Sequence, residues 1–356
     1  MNYSSLFDFT RDLYTAFSYN NKYGKAKIPF RYFLELTYHC NLNCPYCYIG
    51  SERNKQELSF EDWKKVIDQI PFYGIITLVG GEPLIRKDFI DIFAYAAKKV
   101  WNKTHVVTNG ILLNDEIIKA FIEYKLLLLS VSLDGYAENH DKNRGKDGIF
   151  DTIISNLENL KSQKPKQMID IKTIVLENNL DDLVKLYKLC EKMGFNFFSI
   201  SFLRNNHWKQ NSILKETFIP EYNYNYPIKP YFDLEHFKEI YKEIISLNGK
   251  TKLRFSPKFE YSKNPIESIE KFFTIPENKP TNEIYQKCTY PYNNMMINPE
   301  GDVYPCLNIK IGNIKEKSLK ALFNEPKYCC FRKNLKANGG TFRACQLCCE
   351  LKPKDY

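Results

Sequence analysis

The sequence lacks any apolar run long enough to cross a lipid bilayer, which takes about 20 consecutive apolar residues. It also lacks an apolar segment behind Met1, because Asp8, Arg11 and Asp12 interrupt the first stretch of the chain. These two absences predict a protein with neither a membrane anchor nor a secretory signal. We therefore expect a cytoplasmic protein without a membrane partner.

Common nucleotide-binding and zinc-finger signatures are missing too. The chain has no P-loop, and Gly80-Gly81 is not part of a G-x-G-x-x-G pattern. The formal net charge of +9 is modest for 356 residues and is spread along the chain. We interpret it as a solvated surface and expect no nucleic-acid partner, with an acidic substrate as the alternative.

Cysteine, by contrast, is abundant, with eleven residues that are clustered rather than scattered. In a reducing cytoplasm such groups favour metal or cluster ligation over disulfides. They form an early group (Cys40, Cys44 and Cys47) and a late group (Cys288, Cys306, Cys329, Cys330, Cys345, Cys348 and Cys349), with Cys190 between them.

The early cysteines directly follow a predicted strand at 32–36. Their spacing lets one short loop point the thiolates of Cys40, Cys44 and Cys47 at a single centre. A [4Fe–4S] cube has four iron corners, so three ligands leave one iron open to a small molecule. A zinc knuckle is the alternative, but it needs a fourth nearby ligand, and His39 adjoins Cys40 without a spacer.

The pattern Cys-x3-Cys-x-aromatic-Cys, with Tyr46 as the aromatic residue, resembles the cluster loop of the radical S-adenosylmethionine (SAM) superfamily. The resemblance implies a cluster that binds SAM and, once reduced, splits it into methionine and a 5′-deoxyadenosyl radical. The protein then positions a substrate C–H bond for hydrogen abstraction. The chemistry implies an external reductase, such as flavodoxin or ferredoxin.

Short apolar runs alternate with amphipathic segments from about residue 30 to 205, which predicts a repeated strand–helix unit. The predicted strands are 32–36, 74–79, 105–107, 126–133, 169–175 and 195–202. We expect an α/β fold, a partial (β/α)6 TIM-like barrel, with functional residues on loops at the carboxyl ends of its strands.

The segment Gly80-Gly81-Glu82-Pro83 follows the second predicted strand. Its glycines permit close approach of the backbone to a ligand, and the Glu82 carboxylate can accept from an ammonium group. A plain turn is the alternative. In this position the segment resembles the motif that holds the SAM amino group, so we expect these four residues to bind SAM.

Two further SAM contacts are implied by the resemblance. Ser132, after the fourth strand, resembles the ribose-contacting position, and Arg144 resembles the arginine that pairs with the SAM carboxylate. A surface arginine is the alternative for Arg144. Asn109 and Asp134 also lie at strand ends, where helix capping and turn formation are equally good explanations.

The late cysteines form a second pattern. The segment 295–305 predicts a β-hairpin that brings its flanks, Cys288 and Cys306, together. Cys345-x2-Cys348 then supplies two further thiolates after a predicted helix. A zinc ribbon is the alternative to a cluster for these four residues.

This arrangement resembles the "twitch" domain and the first part of the related SPASM domain, which implies one auxiliary [4Fe–4S] cluster closed by four cysteines. The cofactors expected are therefore two [4Fe–4S] clusters and SAM. Cys349 could replace Cys348 as the ligand, and we expect Cys190 to be a buried core residue.

The predicted organisation has four parts. They are an N-terminal helical extension (1–29), a radical SAM core (30–205), a bridging segment with a lid-like loop (206–287) and the auxiliary-cluster domain (288–356). We expect an oxidoreductase that acts on a small molecule of the amino-sugar or alcohol class. Maturation of a ribosomally made peptide is the alternative, and a regulatory cluster- or zinc-binding protein is the third interpretation.

Overall fold

The computed structural model describes residues 15–47, 49, 55–203, 231–274, 281–306, 309–342, 345, 348 and 350–354. Most of the predicted N-terminal extension and the aromatic-rich part of the predicted lid-like loop therefore lie outside the described residues. So does Cys349.

The described residues contain a ten-stranded sheet with the order β10-β9-β8-β1-β2-β3-β4-β5-β6-β7. The strands are β1 (Arg31–Glu35), β2 (Ile75–Val79), β3 (Thr104–Thr108), β4 (Leu128–Ser132), β5 (Met168–Val175), β6 (Phe197–Phe202), β7 (Lys252–Ser256), β8 (Asn294–Ile297), β9 (Asp302–Tyr304) and β10 (Gly312–Asn313).

The α-helices of the described residues connect these strands and flank the sheet. They are α1 (Phe60–Asp68), α2 (Phe89–Lys99), α3 (Asp115–Glu123), α4 (Glu138–Arg144), α5 (Ile149–Gln163), α6 (Asp182–Met193), α7 (Leu234–Ser246), α8 (Pro265–Thr274), α9 (Leu319–Phe323) and α10 (Pro326–Ala337).

Strands β1 to β7 are all parallel and neighbour one another in chain order. This is the expected strand–helix barrel architecture, and the six predicted strands are all present. The helices bury the faces that their periodicity predicted: α2, for example, buries Phe89, Ile92, Phe93 and Ala96 against the sheet. The partial-barrel prediction is confirmed.

The sheet extends beyond the predicted six strands. The segment 253–255, assigned to the bridging segment, lies within β7, which pairs in parallel with β6 from Phe197↔Lys252 onward. Helix α7 lies on the connection between them, the usual way to join parallel neighbours. The core sheet therefore has a seventh parallel strand.

The C-terminal hairpin joins the other edge of the same sheet. Strand β8 pairs in parallel with β1, and β9 returns antiparallel to β8. At the hairpin tip, the Glu300 carboxylate accepts hydrogen bonds from the Tyr38 hydroxyl (3.1 Å) and from Lys55 Nζ (2.9 Å). The hairpin thus contacts Tyr38, which lies two residues before the first cysteine.

The described part of the N-terminal extension packs on the C-terminal region. Residues 15–19 are helical, and Phe17 is 67% exposed. Tyr19 is buried instead, with its ring 5.1 Å from that of Tyr292. The Thr15 hydroxyl accepts from Asn293 Nδ2 at 3.1 Å. Within the described part of the chain, every helix is too short or too polar to traverse a membrane.

Candidate functional site

The three early cysteines lie on the loop that follows β1. Cys40 and Cys44 are half-buried, and Cys47 is exposed. Burial raises the pKa of the Cys40 thiol, and the neighbouring Cys44 and Cys47 thiolates raise it further. The three thiol groups therefore lie near enough to interact electrostatically. Cations placed among them, such as cluster irons, would remove the repulsion between their thiolates.

No group of three or more His, Cys, Asp or Glu side chains in the described residues converges tightly enough to hold one metal ion. A four-iron cube binds each ligand at a different corner, so its cysteines need not converge on one point. The loose convergence of the three thiols is therefore compatible with a cube.

The Gly-Gly segment after β2 packs directly on the cysteine loop. Gly81 N donates to the Thr37 carbonyl at 2.7 Å, and Glu82 N donates to the His39 carbonyl at 2.8 Å. A Cβ atom on Gly81 would overlap the His39 carbonyl. From the sequence, Gly80 and Gly81 are expected to let the backbone approach a ligand closely. The structure shows that the glycines are needed for contact between two loops of the protein.

The Glu82 carboxylate is fully buried and already has protein partners. It accepts from the Thr108 hydroxyl (2.7 Å), from Asn109 N (2.7 Å) and from Leu84 N (3.1 Å). Burial raises its pKa to about 7 in spite of these hydrogen bonds. Glu82 thus ties the loop after β2 to the loop after β3. The carboxylate is enclosed by these protein donors, and its expected contact with the SAM ammonium group stays a prediction.

Pro83 begins a short 3-10 turn, Pro83–Ile85, and is buried. It continues the backbone path that Gly80 and Gly81 begin. The SAM contact expected of Gly80, Gly81 and Pro83 stays a prediction as well.

Asn109 has a more specific position than its sequence context indicated. Its Nδ2 donates to Asn41 Oδ1 at 2.7 Å and lies 4.0 Å from Cys40 Sγ. Because its backbone N–H is bound to Glu82, Asn109 connects that buried carboxylate to the first cysteine. From the sequence alone, helix capping or turn formation explains Asn109 equally well.

Arg144 is the last residue of α4. The helix ends at Gly145, which has φ = 72°. Arg144 Nη1 is 4.0 Å from Cys44 Sγ and Nη2 is 2.5 Å from Asp134 Oδ2, whereas Nε is buried without a partner. Burial opposes the guanidinium charge, but Asp134, Tyr46 and Cys44 together raise its pKa. The arginine lies beside the cysteine loop with one donor unused.

Asp134 is the central acceptor of this region. It is buried, and its Oδ2 accepts from the Tyr46 hydroxyl at 2.5 Å as well as from Arg144. Its Oδ1 accepts from Ile174 N at 2.7 Å. Burial is the main cause of the raised pKa of Tyr46, and the Asp134 charge adds to it. The aromatic residue of the cysteine motif is thus connected to Arg144 through Asp134.

The backbone of Asp134 is fixed as well. Its N–H donates to His140 Nδ1 at 3.0 Å, and its carbonyl accepts from Asn143 Nδ2 at 2.6 Å. Burial lowers the pKa of His140 to about 4, so the ring is neutral, with its proton on Nε2. Ser132 ends β4 opposite Lys172 and is half-buried. Its predicted ribose contact stays a prediction.

The structure also brings the four late cysteines together. Burial raises the pKa of the Cys288 thiol well above its ordinary value, and Cys345, Cys348 and Cys306 each raise it further. Burial raises the pKa of Cys345 to about 12, with Cys348 adding to it. Four thiols of this kind form a suitable ligand set for a second cluster. Cys190 is buried in α6, as expected.

The two cysteine groups lie towards opposite ends of β1. The early loop follows the carboxyl end of the strand. Cys306 follows β9, which runs back towards the amino end of β1. Arg31 is the first residue of β1, and its charge and that of Cys306 both affect the pKa of Tyr290. Five strand residues span about 16 Å. The two cysteine groups are therefore separate, as two cluster sites would require.

Comparison with known families agrees with this organisation. A model of the radical SAM superfamily matches residues 34–190, and a model of the SPASM iron–sulfur cluster-binding domain matches residues 288–350. Members of the first family use a [4Fe–4S] cluster and SAM, and SPASM domains bind additional iron–sulfur clusters.

Two curated relatives illustrate the range of similarity. An AdoMet-dependent heme synthase of Methanosarcina barkeri is 35% identical over 174 residues, which cover 48% of this chain and 49% of the relative. The antilisterial bacteriocin subtilosin biosynthesis protein AlbA of Bacillus subtilis is 24% identical over 308 residues, 84% of this chain and 60% of the relative. The chain thus spans less than two thirds of either relative.

A solved structure, native anSMEcpe with bound AdoMet and Cp18Cys peptide, shares the fold. Its TM-score is 0.60 with 21% sequence identity, over 90% of this chain and 88% of that protein. The cysteine geometry, the barrel and both family matches lead to one assignment: the chain contains a radical SAM domain and, C-terminal to it, a SPASM iron–sulfur cluster-binding domain.

Proposed function

We propose that this protein is a radical SAM enzyme that matures a peptide by crosslinking, epimerising or oxidising one of its residues. The observation that carries the proposal is the length of the AlbA alignment. An alignment over 84% of the chain has to extend past Cys288, whereas the heme synthase alignment covers 48%. Oxidation of a small molecule, our first expectation from the sequence, has no comparable support.

The early site would hold the SAM-binding cluster through Cys40, Cys44 and Cys47. When bound and reduced, this cofactor pair supplies the radical that abstracts a substrate hydrogen. Arg144, which has an unpartnered Nε and an Nη1 close to Cys44 Sγ, would bind the SAM carboxylate. The backbone carbonyls of Gly80 and Gly81 would accept hydrogen bonds from the SAM ammonium group.

The protein's own contribution is to hold these groups rigidly. Asp134 fixes the orientation of Arg144 and Tyr46, and Glu82 fixes the loops that carry the glycines and Asn109. Asp134 and Glu82 are both buried, so water competes little for their hydrogen bonds. Such preorganisation is what a site for a reactive intermediate requires.

The late site would hold an auxiliary [4Fe–4S] cluster through Cys288, Cys306, Cys345 and Cys348. Four cysteines complete its coordination, so we assign it to electron transfer rather than to substrate ligation. In a cytoplasmic setting, a flavodoxin or ferredoxin would supply the electron that activates the early cluster.

The test starts from the coding region beside the gene, where we expect a short frame for a precursor peptide. That peptide is incubated anaerobically with the reconstituted, reduced protein and SAM, and its mass is measured. We expect a mass change, or a deuterium gain in deuterated water for an epimerisation, that the variant lacking Cys40, Cys44 and Cys47 does not produce. An unmodified peptide, together with oxidation of an amino sugar or cyclitol under the same conditions, would favour the small-molecule alternative.

A further inference from the structure

The inner face of the partial barrel carries polar side chains, where barrels with a packed interior mostly have branched apolar ones. His105 Nε2 is hydrogen-bonded to Ser130 Oγ (2.9 Å), and the Ser130 and Ser199 hydroxyls donate to the Asp170 carboxylate (3.0 and 2.6 Å). These contacts cross from β3 to β6, so the four side chains share one face of the sheet. Ile171, the next residue of β5, is buried on the opposite face. We call the space on the polar face the lumen.

Lys172 faces the lumen from β5, one step closer than Asp170 to the carboxyl ends of the strands. Its Nζ is 3.6 Å from Asp170 Oδ2, and its side chain is 39% exposed. Asp170 and Ser130 beneath it are buried, whereas Ser132 and Ser201, nearer the strand ends, are half-buried. Solvent therefore reaches the lumen as far as Lys172, and so can a ligand.

The contact with Asp170 fixes the Lys172 ammonium group without saturating it. The Asp170 carboxylate already accepts from two hydroxyls, and 3.6 Å is longer than a hydrogen bond. An ammonium group has three N–H donors. Lys172 can therefore donate to a ligand while Asp170 holds it in position.

The charges around the lumen favour an anionic ligand. Burial lowers the pKa of His105 well below its ordinary value, and three cations lower it further: Lys172, Arg31 and Arg254. Two carboxylates, Asp170 and Glu260, act on Arg254. Glu35, at the other end of β1 from Arg31, acts on Tyr38 and Tyr304 instead. The region around His105 therefore has one more cation than carboxylate.

We propose that Lys172 binds a carboxylate of the peptide substrate, supplied by an Asp or Glu side chain or by the C-terminus, close to the modified residue. Lys172 is the register partner of Ser132, and neighbouring strands lie about 4.8 Å apart. Since Ser132 is the predicted contact of the SAM ribose, a group bound to Lys172 lies near the place where the radical forms. The inference rests on the proposed function and specifies its substrate as a peptide with an acidic group at the reacting position.

The test measures binding of the labelled precursor peptide to the cluster-loaded, unreduced protein with SAM, by fluorescence anisotropy. Lys172→Met should bind the peptide about tenfold or more weakly, because a charge-assisted contact is lost. Lys172→Arg keeps the positive charge and should bind more tightly than Lys172→Met. The matched control is Lys188→Met, because Lys188 Nζ lies 3.4 Å from Glu243 Oε1 on the exposed surface of α6. It should bind within about twofold of the wild type.

Variants of the peptide identify the source of the carboxylate and do not depend on the folding of a Lys172 variant. Each Asp or Glu of the peptide is changed in turn to Asn or Gln, and a separate peptide has an amidated C-terminus. One of these changes should weaken binding to the wild type about tenfold, with no further loss in Lys172→Met, as expected for two groups in direct contact.

The affinity for SAM separates a substrate contact from a cofactor contact. Measured by isothermal titration calorimetry, it should be the same in Lys172→Met and the wild type. A comparable loss of SAM binding would assign Lys172 to the cofactor and overturn the inference. So would a modified peptide whose binding is unaffected by Lys172→Met or by removal of any of its carboxylates. A peptide that the wild type neither binds nor modifies would instead contradict the proposed function itself, and this inference with it.

Discussion

Asp134 and Arg144 form a buried ion pair, with 2.5 Å between Oδ2 and Nη2. The same carboxylate oxygen accepts from Tyr46, and the same guanidinium reaches Cys44. This pair therefore joins the loop after β4 to the cysteine loop after β1. We infer that it sets the orientation of the arginine before any ligand binds.

The first prediction concerns this ion pair. Asp134→Asn leaves the Arg144 charge buried without its partner, which typically costs about 3–5 kcal/mol of stability. The matched control is Asp181→Asn, because Asp181 pairs with His236 at an exposed position, where a pair contributes about 0–1 kcal/mol. Denaturant unfolding of the iron-free proteins measures both changes. Equal losses in the two variants would show that the Asp134 pair has no special role.

The second prediction concerns pH. The pKa of Glu82 is raised to about 7 from an ordinary 4.5, so between these values the folded protein holds a proton that the unfolded chain has lost. The contribution of Glu82 to the free energy of unfolding should therefore fall as pH rises from 4.5 to 7. Relative to Glu82→Gln, the iron-free wild type should be more stable at pH 5 than at pH 8.

His140 provides a check on the sign of this effect. Its pKa is lowered to about 4, so it makes the folded state more stable as pH rises towards 6.5. This contribution is opposite to that of Glu82 and is present in both proteins, so it cancels in the difference. A difference between wild type and Glu82→Gln that does not change with pH would contradict the raised pKa.

The third prediction concerns the contact between the two loops. Gly81→Ala places a methyl group against the His39 carbonyl, so we expect the cysteine loop to shift and the early cluster to assemble poorly. In the control Gly148→Ala, the new methyl group meets open space and only the positive φ of 72° is strained. Iron content after anaerobic reconstitution should fall for Gly81→Ala by about half, since one of two four-iron cubes is lost. A full iron complement in Gly81→Ala would contradict this interpretation.

The fourth prediction concerns the late cysteines. Replacing Cys288, Cys306, Cys345 and Cys348 by alanine should reduce bound iron from about eight to about four per chain, because each cube carries four irons. Cys330→Ala, in α10, is the control and should retain all the iron. Loss of zinc rather than iron from the quadruple variant would instead support the zinc-ribbon alternative.

Local sequence patterns predicted the elements of this fold well. Periodicity located the six strands and placed the cysteine loop, the glycine segment and Ser132 at strand ends, because a strand or helix depends mainly on its own residues. The hairpin after Cys288 was predicted for the same reason, since Asn298, Gly301 and Asp302 form its turn locally.

Contacts between distant segments were not predictable in this way. Asp134 meets Tyr46 across 88 residues, and β8 pairs with β1 although more than 250 residues separate them. Both contacts depend on how the sheet closes. The burial of Glu82 likewise results from the packing of three loops. The residues next to Glu82 in the sequence therefore give no sign that its carboxylate is buried.

The central claim is that Cys40, Cys44 and Cys47 hold a cluster that cleaves SAM. The most direct measurement is the yield of 5′-deoxyadenosine from anaerobically reconstituted protein, reduced with dithionite and supplied with SAM. We predict that the wild type forms 5′-deoxyadenosine and that the triple Cys→Ala variant, with its late cysteines intact, forms none while retaining about four irons. Equal product from the two proteins would contradict the account.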